Sequence, residues 1–178
     1  MAGGLCCCNS ETVVIFDDVK VKDLSLLEVR PLVILPGIGA SWNTEAMVDN
    51  RVVDDSQWKM TPFVNVYDRF IETAQNNGYQ LGTNFFVWNY DWRKSLGEIA
   101  TDLNEFISSN SKLQSASKID FVDHSLGGLV ARTWIQNFDT GQNRKTHKLI
   151  TVGSPHYGVV QAYEALAGGK VGEKVNLG

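Results

Sequence analysis

Phe121-Val122-Asp123-His124-Ser125-Leu126-Gly127-Gly128 is the stretch on which the reading of the fold turns. Ile119 to Val122 is a short apolar run with the length and residue types of a buried strand. From Leu126 to about Phe138 the apolar residues Leu129, Val130 and Trp134 return at helical spacing. A strand therefore passes directly into a helix with Ser125 at the junction. Such a turn lifts the serine hydroxyl above the sheet edge, and it brings the strand and helix backbones so close that only small residues fit beside it. Gly127 and Gly128 meet that demand. A serine so placed also sits at the positive end of a helix, where free N–H groups stabilise a developing oxyanion.

Upstream of this junction, Pro31 to Leu35 reads as another buried strand, stopped at Pro36-Gly37-Ile38-Gly39 where glycines permit a tight bend. A helix is expected next. Thr61 is suited to cap it, Pro62 to open it, and Phe63, Val66, Tyr67, Phe70, Ile71 and Ala74 form one stripe that ends at Asn76-Asn77-Gly78. Asn84 to Trp88 is a further strand leading to Tyr90-Asp91-Trp92-Arg93, and Leu96, Ile99, Leu103, Phe106 and Ile107 then repeat as in a helix. Downstream, Lys148 to Val152 reads as a strand ending at Gly153-Ser154-Pro155-His156-Tyr157-Gly158, with a helical stretch near Val159 to Ala167. Strands separated by helices of this length pair in parallel. The fold expected is α/β, a three-layer α/β/α sandwich with a mainly parallel sheet. Val13 to Phe16 and Leu26 to Val29 are candidates for additional edge strands.

Composition narrows the partners. The chain has 178 residues, 43% hydrophobic, 20% charged and 10% aromatic, which are the proportions of a globular protein with a packed core. That length suits one domain, so residues 1–10 are expected as a flexible tail and 11–178 as a single unit. The net charge of -4 arises from 16 basic and 20 acidic residues scattered along the chain, leaving no basic face for nucleic acid. No apolar run approaches the ~20 residues needed to cross a bilayer, and the first residues lack the regions of a secretory signal. Cys6, Cys7 and Cys8 are adjacent and cannot staple distant parts of the fold. No Cys/His/Asp spacing points to a metal, and no dinucleotide turn is present. Gly168-Gly169-Lys170-Val171-Gly172 lacks the Gly-Lys-Ser/Thr step of a phosphate loop. Neither metal nor cofactor is expected.

In open parallel sheets ligands bind beyond the C-terminal strand ends, where the punctuated motifs all fall. The N–H of Leu126, the residue after the nucleophile, is one oxyanion donor, and Ile38 in the loop after the first strand is placed to supply the second. Ser125 as a plain helix cap would leave the glycines and that loop without purpose. Trp42, Trp92 and Tyr157 follow three different strands at the same edge and are the candidates to line an apolar pocket, with an exposed aromatic loop as the competing reading. Asp91 and Arg93 are expected to pair and fix their loop. His124 is directed away from Ser125, toward packing and hydrogen bonding beneath the site, and His147 is expected at the surface before its strand.

Taken together, His124-Ser125-Leu126-Gly127-Gly128, Pro36-Gly37-Ile38-Gly39, Tyr90-Asp91-Trp92-Arg93 and Ser154-Pro155-His156-Tyr157-Gly158 resemble the lecithin:cholesterol acyltransferase-like lipases and esterases, in the family's order and over roughly residues 31 to 160. The resemblance implies an α/β-hydrolase fold, incomplete at its C-terminal strands, and hydrolysis of small-molecule or lipid esters through a serine acyl-enzyme, with acyl transfer to another alcohol as a variant. Two departures stand out. Asp123 occupies the place where the elbow usually has its first glycine. Moreover, the triad of this fold runs Ser, Asp or Glu, then His, whereas only Asp139, Glu164 and Glu173 with His147 and His156 follow Ser125. A truncated gene product, a second copy supplying the missing elements as a homo-oligomer, and a nonstandard base are the three explanations. Within the chain His156 is the candidate base, because it ends the strand neighbouring the elbow. The alternative function is a catalytically silent hydrolase remnant, or a lipid-binding subunit active only as an oligomer.

Overall fold

The computed structural model describes residues 29–62, 65–160 and 162. In chain order its elements are β1 (Leu32–Leu35), β2 (Ser41–Trp42), α1 (Thr44–Val48), β3 (Lys59–Met60), α2 (Asp68–Asn76), β4 (Phe85–Val87), α3 (Leu96–Ser109), α4 (Ser111–Ser115), β5 (Ile119–His124), α5 (Leu126–Asn137) and β6 (Thr146–Val152). Four strands form one parallel sheet in the order β4-β1-β5-β6, the mainly parallel α/β arrangement that strand and helix alternation calls for. β2 and β3 pair antiparallel beyond the end of β1, Ser41 opposite Met60 and Trp42 opposite Lys59.

Successive strand residues point to opposite faces, and the sheet uses both. Val33, Leu35, Phe86, Ile119 and Phe121 pack with Ile99, Leu103 and Ile107 of α3 and Val130, Ala131 and Trp134 of α5. Leu32, Ile34 and Phe85, on the other face, pack with Ala74 and Ile71 of α2. Three layers result, α2 being the second helical layer among the described residues. Toward β6 that face is less covered, and Ile150 and Val152 are exposed.

Local chemistry explains the best-formed elements. α3 opens on a capping box in which Ser95 and Glu98 satisfy each other's main-chain N–H groups. Asn110 caps α4, and the Lys145 ammonium donates to the carbonyls of Leu113, Gln114 and Ala116 at 3.1, 2.7 and 2.9 Å, closing its C-terminus. The Asp139 carboxylate accepts from the N–H groups of Lys145 and Thr146 at 2.6 and 2.8 Å and so starts β6. Asp139 is therefore a structural anchor at the end of the sheet opposite Ser125.

The helix expected from Pro62 begins instead at Asp68. Thr61 does not cap it: its hydroxyl donates to Gly39 O at 2.6 Å and its N–H to Ala40 O at 2.9 Å, binding it to the loop after β1. Val66 and Phe70, members of the expected stripe, stay exposed. His147 lies within β6 rather than before it, exposed, with Nδ1 2.7 Å from Asp120 Oδ1. The N-terminal tail, the strand Val13 to Phe16, most of Leu26 to Val29, Phe63 and most of the helix from Val159 to Ala167 lie outside the described residues.

Two glycines make the packing testable. A Cβ on Gly127 would run into the Leu35 carbonyl, whereas one on Gly97 in the first turn of α3 meets nothing within 4 Å. Gly127→Ala is expected to lower stability by about 1–3 kcal/mol through overpacking, and Gly97→Ala to raise it by up to about 1 kcal/mol through helix propensity. Denaturant unfolding of the two variants checks both signs.

Candidate active site

Ser125 stands between β5 and α5 with φ 52 and ψ -118, a positive-φ conformation that costs a non-glycine residue about 1–3 kcal/mol. Its surroundings leave it no alternative. The Ser125 N–H donates to Val152 O at 2.9 Å and the Gly128 N–H to Ser125 O at 3.2 Å. Gly127 lies against the Leu35 carbonyl and Gly128 against the Ser154 side chain, both closer than any Cβ permits. α5 is thus drawn onto the end of β1, and Ser125 must take the sharp turn.

The loop after β1 is fastened residue by residue. Leu35 N–H donates to Asp123 Oδ1 at 3.0 Å. The Tyr90 hydroxyl donates to Pro36 O at 2.7 Å. Gly37 N–H donates to the Tyr67 hydroxyl at 2.8 Å, and Thr61 donates to Gly39 O. A Cβ on Gly37 would lie 2.9 Å from His124 Nδ1 and 3.0 Å from Ser125 Cβ, so the loop backbone rests directly on the elbow. Among the described residues the N–H groups of Ile38 and Leu126 donate no hydrogen bond. The Ile38 side chain is exposed.

Asp123, the departure from the elbow pattern, now has a physical account. Its side chain is fully buried and ties β5 to the last residue of β1. Oδ2 has no partner among the described residues. Burial pushes the carboxyl well above the usual carboxylate range, with the Leu35 N–H only partly opposing. Burial thus favours the protonated form of Asp123 over the carboxylate.

The other expected residues are placed as follows. His124 Nδ1 is 2.9 Å from the Tyr67 hydroxyl, the rings edge to face with centroids 5.8 Å apart. Arg93 holds Asp91 with two hydrogen bonds, 2.8 and 2.7 Å, and reaches Ala46 O at 2.6 Å. Burial alone would raise the Asp91 pKa, but Arg93 outweighs it and holds the carboxyl below its ordinary value. His156 is not brought to Ser125: the turn after β6 folds its ring back on its own strand, where Nε2 is 3.4 Å from Thr151 Oγ1, and Nδ1 is buried without a partner among the described residues. Trp42 and Trp92 spend their indole N–H groups on Thr44 Oγ1 and Ser41 O, at 3.1 and 2.9 Å. Tyr157 is 106% exposed, an outward loop tip rather than a pocket wall.

The cavity that adjoins the elbow has other walls. It measures about 160 Å³, with Ile34, Val66, Phe70, Val122 and Val152 as its apolar lining and Tyr67, Asp123 and His124 completing its walls. Trp42, Trp92 and Tyr157 do not contribute. A larger cavity of about 450 Å³ lies beside α3, ringed by Asp54, Asp55, Asp102 and Glu105 around Trp88; neither the elbow nor the loop after β1 lines it, and it forms no part of the site around Ser125. Tyr67 is the site residue that sequence reasoning missed. Helical periodicity counted its ring as apolar, and its one distinguishing signal was a polar tip within an otherwise hydrocarbon stripe.

A parallel sheet whose strand turns through a strained serine into a helix, beside a fastened glycine loop, defines a protein of the α/β-hydrolase type. The family model for lecithin:cholesterol acyltransferase matches residues 51–177, and the chain belongs to that family. It is 26% identical over 110 residues to the phospholipase A(1) LCAT3 of Arabidopsis thaliana, a match covering 58% of this chain and 25% of that protein. The chain thus spans about a quarter of that curated relative's length. Among solved structures, phospholipase PlaB from Legionella pneumophila is similar with a TM-score of 0.49 at 14% identity, over 78% of this chain and 29% of that one. The same enzyme in complex with thio-NAD gives a TM-score of 0.38 at 16% identity, over 61% and 21%.

The buried carboxyl has a pH signature. Because the folded-state pKa of Asp123 is raised, its contribution to stability is fully present below the unfolded value near ~3.9 and is lost as pH rises toward the folded value. Relative to Asp123→Asn, the wild type is expected to lose stability from about pH 4 upward, at a limiting slope of about 1.4 kcal/mol per unit. Urea unfolding of both proteins between about pH 4 and pH 8 measures it; a constant difference would mean that the carboxyl titrates normally.

Proposed function

We propose that this chain hydrolyses carboxyl esters of lipids through Ser125. The observation that carries the reading is the backbone of Ser125, held at φ 52 between β5 and α5, because strain of this kind in a non-glycine residue is kept where function requires it. Membership of the lecithin:cholesterol acyltransferase family and likeness to a plant phospholipase A(1) support lipid esters as the substrate class. The apolar cavity at the elbow, about 160 Å³, supports it again, since it offers hydrocarbon contacts and few polar ones.

In this reading the Ser125 Oγ attacks the ester carbonyl carbon and gives its proton to a base, while the carbonyl oxygen becomes an oxyanion facing the N–H groups of Ile38 and Leu126. The tetrahedral adduct collapses by breaking the bond to the alcohol, which leaves with a proton, and an acyl-enzyme remains. Water, or a second alcohol in the transfer variant, then attacks that acyl carbon and frees Ser125. His156 is the base candidate within the chain, and to act it must leave Thr151.

Fluorophosphonate labelling and hydrolysis of p-nitrophenyl esters test the proposal together. The chain is expected to label covalently and Ser125→Ala not at all, with ester turnover falling at least about 10²-fold. A folded wild-type chain that refuses the probe would overturn the enzymatic reading in favour of the silent, lipid-binding alternative.

A further inference from the structure

We infer that Tyr67 is a positioning residue for the loop after β1: its hydroxyl, 2.8 Å from Gly37 N and 2.9 Å from His124 Nδ1, fastens that loop to the residue preceding Ser125 so that the Ile38 N–H is presented at the elbow. The inference rests on the ester-hydrolase reading for its purpose, and on the geometry of three residues for its substance.

The Gly37 N–H fixes the direction of one bond, in which the phenol oxygen accepts. Toward His124 Nδ1 the phenol donates when the imidazole proton is on Nε2 and accepts when it is on Nδ1. Burial, set against the Gly37 bond, raises the Tyr67 pKa above its ordinary value, so the phenol keeps its proton at neutral pH.

The neighbours of Gly37 show why this tether matters. Leu35 and Pro36 are held by Asp123 and Tyr90 from within the core, and Gly39 by Thr61. Gly37 lies between those anchors, immediately before Ile38, and Tyr67 reaches it from a different layer of the fold, at the N-terminus of α2. Without the hydroxyl, Gly37 N–H is left buried and unpaired, and the chain there is free to rotate its peptide planes. A displacement of about 1 Å in a group that must meet a transition state costs on the order of 10²-fold in rate, whereas the fold itself loses the two hydrogen bonds of one hydroxyl.

Tyr67→Phe in the full chain removes that oxygen alone, and Tyr79→Phe, which packs on Phe85 away from the loop, serves as the control. Three readings are taken: thermal unfolding, the rate of fluorophosphonate labelling at saturating probe, and the ¹⁵N resonances of His124 with the exchange rate of the Gly37 amide. Tyr67→Phe is expected to label about tenfold or more slowly with a Tm lowered by only several degrees, to shift the ¹⁵N resonances of His124, and to exchange the Gly37 amide at least about tenfold faster. Tyr79→Phe should match the wild type throughout. Labelling at the wild-type rate per folded molecule, with or without a lower Tm, overturns the inference. Should the wild type itself fail to label, the ester-hydrolase reading falls, and Gly37 exchange decides the tether separately: faster exchange in Tyr67→Phe supports it, unchanged exchange overturns it.

Discussion

The contact between the Leu35 carbonyl and the backbone of Gly127 is the constraint on which the rest of the site depends. With no side chain at position 127, the first turn of α5 lies directly on the last residue of β1, two elements far apart in sequence. Ser125 is then confined to a span too short for an ordinary connection and takes a backbone conformation with positive φ. The same closeness places the N-terminus of α5, with its unpaired Leu126 N–H, beside the glycine loop that continues β1. The strain at Ser125 and the closeness of the glycine loop to it are two consequences of one missing methyl group.

Holding that loop is a separate problem, and side chains from outside it solve it. Asp123, Tyr90, Tyr67 and Thr61 come from β5, the segment after β4, the start of α2 and the residue after β3, and each takes a different main-chain group. A loop so restrained loses little further freedom when a ligand arrives. Asp123 shows what such tethering costs. A glycine there would bury no polar group, whereas the carboxyl gains one hydrogen bond to Leu35 and leaves Oδ2 unsatisfied in the core. A charge there would carry a larger penalty, so burial raises the carboxyl pKa and favours the protonated form.

What was legible in the sequence, and what was not, follows from the range of the forces involved. β1, β5, α3 and α5 were readable because burial imposes runs and periods on contiguous residues: Ile119 to Val122 announces a strand, and Leu96, Ile99, Leu103 and Phe106 a helix. The elbow was readable because its demand for glycine is local. The start of α2 was not, since Thr61 is chemically fit to cap a helix but finds Gly39 and Ala40 first. The pair β2 and β3 is two residues on each side and carries no period. Trp42, Trp92 and Tyr157 were read from their place after three strands, yet local conformation aims two indoles at hydrogen-bond acceptors and the phenol at solvent. His156 likewise ends the right strand, and the turn after Gly153, not the strand, determines where its ring goes.

Tyr67 shows why the cavity and the loop cannot be treated as independent parts. Its ring lines the apolar cavity with Phe70 and Val66, while its hydroxyl sits on Gly37 and His124. Val66 and Phe70 meet only the apolar requirement, and they stand exposed on the layer where α2 is the cover among the described residues. Tyr67 is buried there because its polar tip is satisfied inside, and an apolar residue of the same shape would fill the space without the bonds. Hydrocarbon lying in the cavity would touch the ring that restrains the Gly37 peptide, so apolar contact in the cavity and the tether on Gly37 depend on one side chain. The aromatic body supplies the first, and a single oxygen supplies the second.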